Sequence, residues 1–258
     1  MRKFTVLDIS HLDQVPLDVE WLQLNHLGLT DLPDLSRFNQ LSKLEFNNNL
    51  IQKLDHLPST LTELYGYENQ LQEITFFPPH LKFIVLFMNQ LKKLPPLPEE
   101  LKHLDVYQNQ LTELPPLPSQ IKSLYLENNC LTKLPILPQG LKVLYIAQNQ
   151  IEDIPNLPSS LIEIHCKNNK IQCLSLYDNP NLEYLRCANN KMELISQQDI
   201  QTLMPLKRWY YTMKYGRKLE RMVSKKRNRK FFEEFQHVLY SPDYPFYKRF
   251  CPNLFVCQ

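Results

Sequence analysis

The cysteine and histidine residues of this chain show none of the spacings that metal binding or catalysis requires. Six cysteines occur among 258 residues, and no two form the Cys-x-x-Cys pair typical of zinc sites. His165 lies between Glu163 and Lys167, but no nucleophile–base pair can be placed around it, and no glycine-rich phosphate loop occurs. We therefore predict a non-catalytic protein that holds no metal and no cofactor.

Two of the cysteines lie in segments of regular alternation and are interpreted as core residues. Cys166 and Cys187 take positions at which equivalent segments carry valine, leucine or isoleucine, so burial is expected. A disulfide between Cys251 and Cys257 is an alternative that the sequence leaves open. Reduced thiols are favoured, and they indicate an intracellular protein, cytoplasmic or nuclear, with a host cell among the alternatives.

Charge is distributed unevenly, although the formal net charge is only +2. Residues 196–258 contain 13 lysines and arginines against 5 aspartates and glutamates, a net charge of +8, so residues 1–195 carry −6. This change of composition is the clearest sign of a domain boundary. No run of about 18 apolar residues occurs, so no membrane-spanning helix is expected.

The basic segment after the boundary is predicted to be a helical extension. Ser196 to Asp199 resembles a helix capping box, and the apolar residues of 231–239 recur at helical spacing. Three interpretations of its basic run stay open: a solvated surface, a nucleic-acid contact or nuclear-localisation signal, and attachment to an acidic membrane or protein surface. The run consists of Lys225, Lys226, Arg227, Arg229 and Lys230.

A repeat of about 20 residues dominates the rest of the chain and follows the pattern Leu-x-x-Leu-x-Leu-x-x-Asn-x-Leu, which is typical of leucine-rich repeats. The asparagine recurs in every unit except the first, which carries Leu27 instead. The nine units begin at Val19, Leu41, Leu61, Leu81, Leu101, Ile121, Leu141, Leu161 and Leu182.

Each unit begins with a short alternating strand and ends in a proline-rich arm. Leu104 and Val106 should point inward, whereas Asp105 and Tyr107 should point outward. The asparagine that follows can both donate and accept hydrogen bonds, so it can satisfy the backbone of the turn. The arm is too short for an ordinary helix, and proline fixes φ near about −65°, so the arm should run extended.

The phrase Leu-Pro-x-Leu-Pro-x-x-Leu-x-x-Leu-x-Val-x-x-Asn-x-Leu resembles the short repeats of bacterial effectors of the YopM and IpaH group. The resemblance covers residues 19–195. It implies an α/β-type solenoid, a leucine-rich-repeat horseshoe with a parallel β-sheet on its concave face and an extended, polyproline-like convex side. The end of the chain, VLYSPDYPFYKRFCPN, is more weakly similar to tails of repeat proteins from large DNA viruses.

Two departures from those effectors are expected. Only 18 residues precede the first unit, so the helical hairpin that those effectors carry should be absent. The ubiquitin-ligase domain of the IpaH group does not fit in 63 residues, and Cys251 is followed by Pro-Asn rather than lying in its Cys-x-Asp motif.

The outward residues of neighbouring strands should lie side by side, because strands in a sheet are about 4.8 Å apart. Aromatic and apolar residues concentrate in the central units and polar residues flank them, which is the pattern of a protein-binding patch. The alternative is that these good strand formers simply cover one another as a ladder. The predicted partner-binding residues are Tyr65, Tyr67, Phe83, Val85, Phe87, Tyr107, Tyr125 and Tyr145.

The sequence thus predicts an N-terminal cap over residues 1–18, nine repeats over 19–195 and a basic helical extension over 196–258. The favoured function is a non-catalytic scaffold that binds a partner protein, of unknown identity, on its concave aromatic face. One alternative is a nucleic-acid-associated protein that binds through the tail. A second, by analogy with the IpaH group alone, is a ubiquitin ligase.

Overall fold

A computed structural model describes residues 1–154, 156–172, 174, 179 and 181–191 of the chain. The predicted helical extension, its basic run and the pair Cys251 and Cys257 lie outside the described residues. A short 3-10 helix spans Ile9–Gln14, between the first two strands. The strands are β1 (Lys3–Thr5), β2 (Trp21–Gln23), β3 (Lys43–Glu45), β4 (Lys53–Leu54), β5 (Glu63–Tyr65), β6 (Glu73–Ile74), β7 (Phe83–Val85), β8 (His103–Asp105), β9 (Ser123–Tyr125), β10 (Val143–Tyr145), β11 (Glu163–His165) and β12 (Tyr184–Arg186).

Each repeat contributes one three-residue strand to a single parallel sheet of ten strands. Their order is β1-β2-β3-β5-β7-β8-β9-β10-β11-β12, so consecutive repeats are always neighbours. The register has no offset, and Leu104 of β8 pairs with Ile84 on one side and Leu124 on the other. The predicted parallel-strand solenoid is therefore confirmed. Strand β1, which precedes the first repeat, extends the sheet by pairing with β2.

The core is a column of aliphatic side chains beneath this sheet. Leu104 and Val106 are fully buried, as predicted, because they alternate with the outward-pointing Asp105 and Tyr107. In the proline-rich arm, Leu114 and Leu117 pack against the same core while partly exposed. A single repeat buries its apolar side only by stacking on its neighbours, so the stability of the solenoid is shared between adjacent units.

Asparagines close the turn after the long-sheet strand of every repeat except the first, as predicted. Asn109 donates from Nδ2 to the carbonyl oxygens of Leu86 (3.0 Å) and Val106 (3.1 Å), and its Oδ1 accepts the backbone N–H of Leu91 (3.0 Å). These bonds join two successive repeats and satisfy backbone groups that no strand pairs. The same contacts recur, within the described residues, at Asn49, Asn69, Asn89, Asn129, Asn149, Asn169 and Asn190.

The residue just before this asparagine position lies in the left-handed region of backbone conformation in every repeat, with φ between 53° and 59°. Asparagine adopts this conformation more readily than other non-glycine residues, because its short polar side chain bonds to the local backbone. The residues are His26, Asn48, Glu68, Met88, Gln108, Asn128, Gln148, Asn168 and Asn189.

A second, two-stranded sheet joins β4 and β6 on the return arms of two early repeats. There Thr75 donates its backbone N–H to the carbonyl of Leu54 at 3.0 Å. The next repeat carries Pro95 at the position of Thr75, and proline has no N–H to continue the pairing. The arm of residues 92–98 accordingly contains neither helix nor strand. Within the described part of the chain, no helix is long and apolar enough to cross a membrane.

Candidate functional site: the concave aromatic face

The last residue of each strand in the ten-stranded sheet points outward, and these residues form one column across the sheet. Tyr65 of β5 is in register with Val85 of β7, which is in register with Asp105 of β8. The column continues through Tyr125 and Tyr145. We call the outward side of β5 to β11, together with the residue two positions after each strand, the aromatic face.

One row of rings on this face runs along the residues that follow the strands. The rings of Tyr67 and Phe87 stack with centroids 4.5 Å apart and planes inclined by 4°. Phe87 then meets Tyr107 at 6.5 Å and 49°. All three side chains are half-buried, so each ring covers part of its neighbour and keeps part of its own surface exposed.

A second row includes two histidines, His103 and His165, which are not among the predicted partner-binding residues. His103 lies between Phe83, at 5.9 Å, and Tyr125, at 5.3 Å. Tyr125 meets Tyr145 edge to face at 4.9 Å, and Tyr145 stacks on His165 at 3.9 Å. The stack half-buries the ring of His165, although in the sequence this residue lies between the charged Glu163 and Lys167. The register of the repeats was the signal that could have shown this.

Not every predicted partner-binding residue presents the same surface. Phe83 is 37% exposed, whereas Val85 is only 9% exposed between its neighbours Tyr65 and Asp105. Val85 therefore contributes little to the exposed area, although it lies on the outward side. The contacts between rings agree with the alternative that the aromatic residues cover one another. The rings also remain partly exposed, as a binding patch requires.

At one end of the aromatic face, a lysine is held between two carboxylates and two rings. Lys43 Nζ lies 3.3 Å from Glu45 and 3.4 Å from Glu63. The same atom is 4.2 Å from the ring centroid of Trp21 and 4.5 Å from that of Tyr65. We call these five residues the Lys43 cluster. At this end of the face, a cation of the chain itself thus pairs with both carboxylates.

The pKa of Glu45 shows the effect of the groups around it. Burial alone would raise its pKa, but hydrogen bonds from Gln23, Lys43 and Asn25 outweigh burial and hold the pKa below its usual value. Gln23 Nε2 donates to the carboxylate at 2.7 Å, and Asn25 Nδ2 donates at 3.4 Å. Glu45 is therefore a stabilised carboxylate at neutral pH.

The centre of the face contains a pocket of about 330 Å³ in which the carboxylates are not satisfied in this way. Asp105 accepts one hydrogen bond, from the backbone N–H of Tyr107 at 3.1 Å, yet burial raises the pKa of Asp105 to about 6. Burial and the nearby Asp105 also raise the pKa of Glu127. Among the residues that the structure describes, neither carboxylate forms an ion pair. The central pocket is lined by Phe87, Asp105, Tyr107, Tyr125, Glu127 and Tyr145.

The opposite end of the face is again polar. The hydroxyl of Tyr145 donates to Glu163 at 2.7 Å, and Nε2 of His165 lies 2.9 Å from the same carboxylate. Burial lowers the pKa of His165 even though Glu163 opposes that effect, so the ring is predominantly neutral at neutral pH. Polar and charged residues thus flank the aromatic face at both ends.

The cysteines within the described residues are not grouped for chemistry. Cys166 and Cys187 are buried, as predicted, and burial raises the pKa of both thiols, that of Cys187 to about 11. Cys130 is exposed, and all three are free thiols. Within the described ranges, no group of three or more histidine, cysteine, aspartate or glutamate residues could hold a metal ion.

The repeated strands, the asparagine turns and the aromatic face define a leucine-rich-repeat solenoid, and this fold is that of a protein-interaction scaffold. Residues 119–159 match the family described as "Leucine Rich repeats (2 copies)". A comparison with curated protein sequences gave no match.

Three solved structures show what the chain is similar to. YopM, a leucine-rich effector protein from Yersinia pestis, is 32% identical with a TM-score of 0.63, over 69% of this chain and 51% of that one. YopM from Yersinia enterocolitica WA-314 is 28% identical with a TM-score of 0.56, over 70% and 48%. The functional domain of InlJ from Listeria monocytogenes is 27% identical with a TM-score of 0.64, over 70% and 42%.

The predicted resemblance to bacterial effector-type leucine-rich repeats is therefore confirmed. The chain spans about half the length of each of these three structures.

Proposed function

We propose that this protein is a non-catalytic scaffold that binds a partner protein on its concave aromatic face. The observation that carries the proposal is the double row of half-buried rings, which extends without a break from Phe83 to His165 and from Tyr67 to Tyr107. The two rows cross several repeats, so they offer an extended contact surface rather than an isolated side chain.

Rigid rings on strands are suited to recognition. Each strand is fixed by backbone pairing on both sides, so a partner does not have to order the backbone when it binds. Aromatic side chains with few rotatable bonds supply much of the energy in protein interfaces, and surrounding polar groups exclude water. The Lys43 cluster at one end and Glu163 at the other are placed to act as such a rim.

The location of the protein is also a proposal. Free thiols at Cys130, Cys166 and Cys187 support a reducing compartment, cytoplasmic or nuclear, in its own cell or in a host. No observation on the described residues favours the nucleic-acid or the ubiquitin-ligase alternative. The basic run on which the former depends lies outside them.

The proposal is tested by removing rings from the face and, as a control, by removing exposed apolar side chains elsewhere. In the test variant, Tyr65, Phe87 and Tyr125 are each replaced by serine. In the matched control, three exposed aliphatic residues away from the face, Leu7, Leu17 and Ile136, are replaced by serine. Proteins captured by each full-length variant are identified and quantified, and thermal melts confirm folding.

We expect the test variant to lose at least one specific partner that the wild type and the control both retain. The reason is that three hot-spot rings are absent from the test variant alone. If the test variant is folded and captures every partner as efficiently as the wild type, the aromatic face is not the binding surface.

A further inference from the structure

We infer that the central pocket of the aromatic face receives an arginine side chain of the partner protein. This inference rests on the proposed function, because it names the chemistry of the group that the aromatic face recognises.

The lining and volume of the pocket suit one planar cationic group. Four rings line it, from Phe87, Tyr107, Tyr125 and Tyr145, together with the carboxylates of Asp105 and Glu127. A volume of about 330 Å³ lies at the lower end of the range for ligand pockets, roughly 300–1,000 Å³. A guanidinium group stacks on aromatic faces and also donates two parallel hydrogen bonds to a carboxylate, so it can use both kinds of wall at once.

The Lys43 cluster provides an internal comparison on the same sheet. There, two carboxylates and two rings enclose a cation that the chain itself supplies, at 3.3 and 3.4 Å from the carboxylates. The central pocket repeats this combination of carboxylates and rings. Among the described residues, however, no lysine or arginine is paired with Asp105 or Glu127. Nothing in the described part of the chain fills the pocket in this way, so its carboxylates are open to a cationic side chain of a partner.

The groups around Asp105 do not cancel its charge. Strand β7 contributes Val85 beside it, and strand β9 contributes Tyr125. On its own strand, burial lowers the pKa of His103, so that ring is mostly neutral at neutral pH. Glu127 adds a second negative charge. The pocket is therefore negative at neutral pH, and the burial of its carboxylates makes an incoming cation more effective than it would be in open solvent.

Two peptides that differ only in charge test the inference on the full-length protein. The probes are N-acetyl-Gly-Arg-Gly-amide and the same peptide with neutral citrulline in place of arginine, and binding is measured by ligand-observed NMR titration. We expect the arginine peptide to bind about tenfold more tightly than the citrulline peptide, because charge-assisted hydrogen bonds are the stronger kind. Equal affinity of the two peptides, or no binding of either, would overturn the inference.

A pair of isosteric variants locates the binding. The variant Asp105→Asn with Glu127→Gln removes two charges from the pocket and should reduce the affinity of the arginine peptide to that of the citrulline peptide. The control Glu99→Gln with Glu113→Gln removes two charges from exposed positions outside the pocket and should bind as the wild type does. Thermal melts confirm that both variants fold. Unchanged binding by the pocket variant contradicts the inference.

The outcomes separate this inference from the proposed function. If partner capture depends on Tyr65, Phe87 and Tyr125 but the arginine peptide does not bind, the scaffold stands and the arginine pocket is wrong. If the arginine peptide binds while the serine variants capture every partner normally, the proposed function is wrong, because the partner is held elsewhere.

Discussion

The ring of Phe46 occupies the space that a side chain at Gly66 would need. A Cβ atom added to Gly66 would lie 2.2 Å from two ring carbons of Phe46, far inside van der Waals contact. The two residues hold the same inward position in successive repeats, where later repeats carry aliphatic residues such as Leu86 and Val106. Phe46 is larger than the usual residue at this position and Gly66 is smaller, so the ring of Phe46 fills the space left by Gly66.

We expect Gly66→Val to destabilise the protein by roughly 1–3 kcal/mol, the usual effect of overpacking a core. Chemical denaturation measures the change. Adding Phe46→Leu to Gly66→Val should recover part of the loss, because the pair then resembles the ordinary repeats. If the two substitutions simply add, the ring does not compete with the side chain at residue 66.

Met88 holds a left-handed backbone conformation, with φ of 56°, that a side chain without a local hydrogen bond adopts at a cost. Met88→Asn should raise the free energy of unfolding, by up to about 1 kcal/mol, because the left-handed conformation costs most residues roughly 1–2 kcal/mol. The reverse change at the equivalent position of another repeat, Asn128→Met, should lower it. Denaturant unfolding of both variants tests the expectation, and two effects of the same sign would contradict it.

Asn109 satisfies buried backbone groups of two repeats at once. Asn109→Ala leaves the carbonyls of Leu86 and Val106 and the N–H of Leu91 without this partner. Both carbonyls keep a second asparagine donor, Asn89 for Leu86 and Asn129 for Val106, whereas the N–H of Leu91 loses its partner. We expect a loss of roughly 1–3 kcal/mol in unfolding free energy, the cost of one buried unsatisfied group. Gln110→Ala, at the exposed neighbouring position, is the control and should change stability little. Similar losses of stability in both variants would show that the side-chain hydrogen bonds of Asn109 contribute nothing.

The raised pKa of Asp105 makes a prediction about pH and stability. Its pKa rises from 3.8 to about 6 on folding, so the folded state favours the protonated form. The stability that this provides is present below pH 3.8 and is lost as the pH rises through about 6. Asp105→Asn removes the buried charge, so it should raise the melting temperature at pH 7.5 and change it much less at low pH.

Glu45 is the matched control for Asp105, because its pKa is lowered instead of raised. It contributes stability above its unfolded pKa, which is lost as the pH falls through its folded value. Glu45→Gln should therefore lower the melting temperature at pH 7.5. If Asp105→Asn is also destabilising at that pH, burial does not disfavour the charged form of this carboxylate.

Much of the architecture could be predicted because the repeat fixes backbone and core together. Leu104, Val106 and Asn109 recur at constant spacing, and each has a single physical role, so their positions followed from periodicity. The left-handed conformation of the residue before each turn asparagine could not be predicted from residue type. That residue is Asn48 in one repeat and Met88 in another, because the turn requires a backbone conformation and no particular side chain.

The electrostatics of the face were not predictable in the same way. Glu45 and Asp105 occupy equivalent outward positions, but one carboxylate is bonded to Lys43 and the other has no cation among the described residues. That difference depends on which side chains from neighbouring strands reach each carboxylate. The pairing of β4 with β6 likewise depends on one residue of the arm. Thr75 has a backbone N–H to donate, whereas the next repeat carries Pro95 at this position.

The register without offset has a consequence for how the recognition surface can change. From β3 to β11, each strand meets its neighbour at a shift of 20 residues, so any such unit presents the same edges as the next. Excision of residues 101–120 would bring β7 against β9 with every ladder contact replaced by an equivalent one. Recombination between units can therefore lengthen or shorten the footprint by steps of about 4.8 Å, one strand spacing, without redesigning the fold.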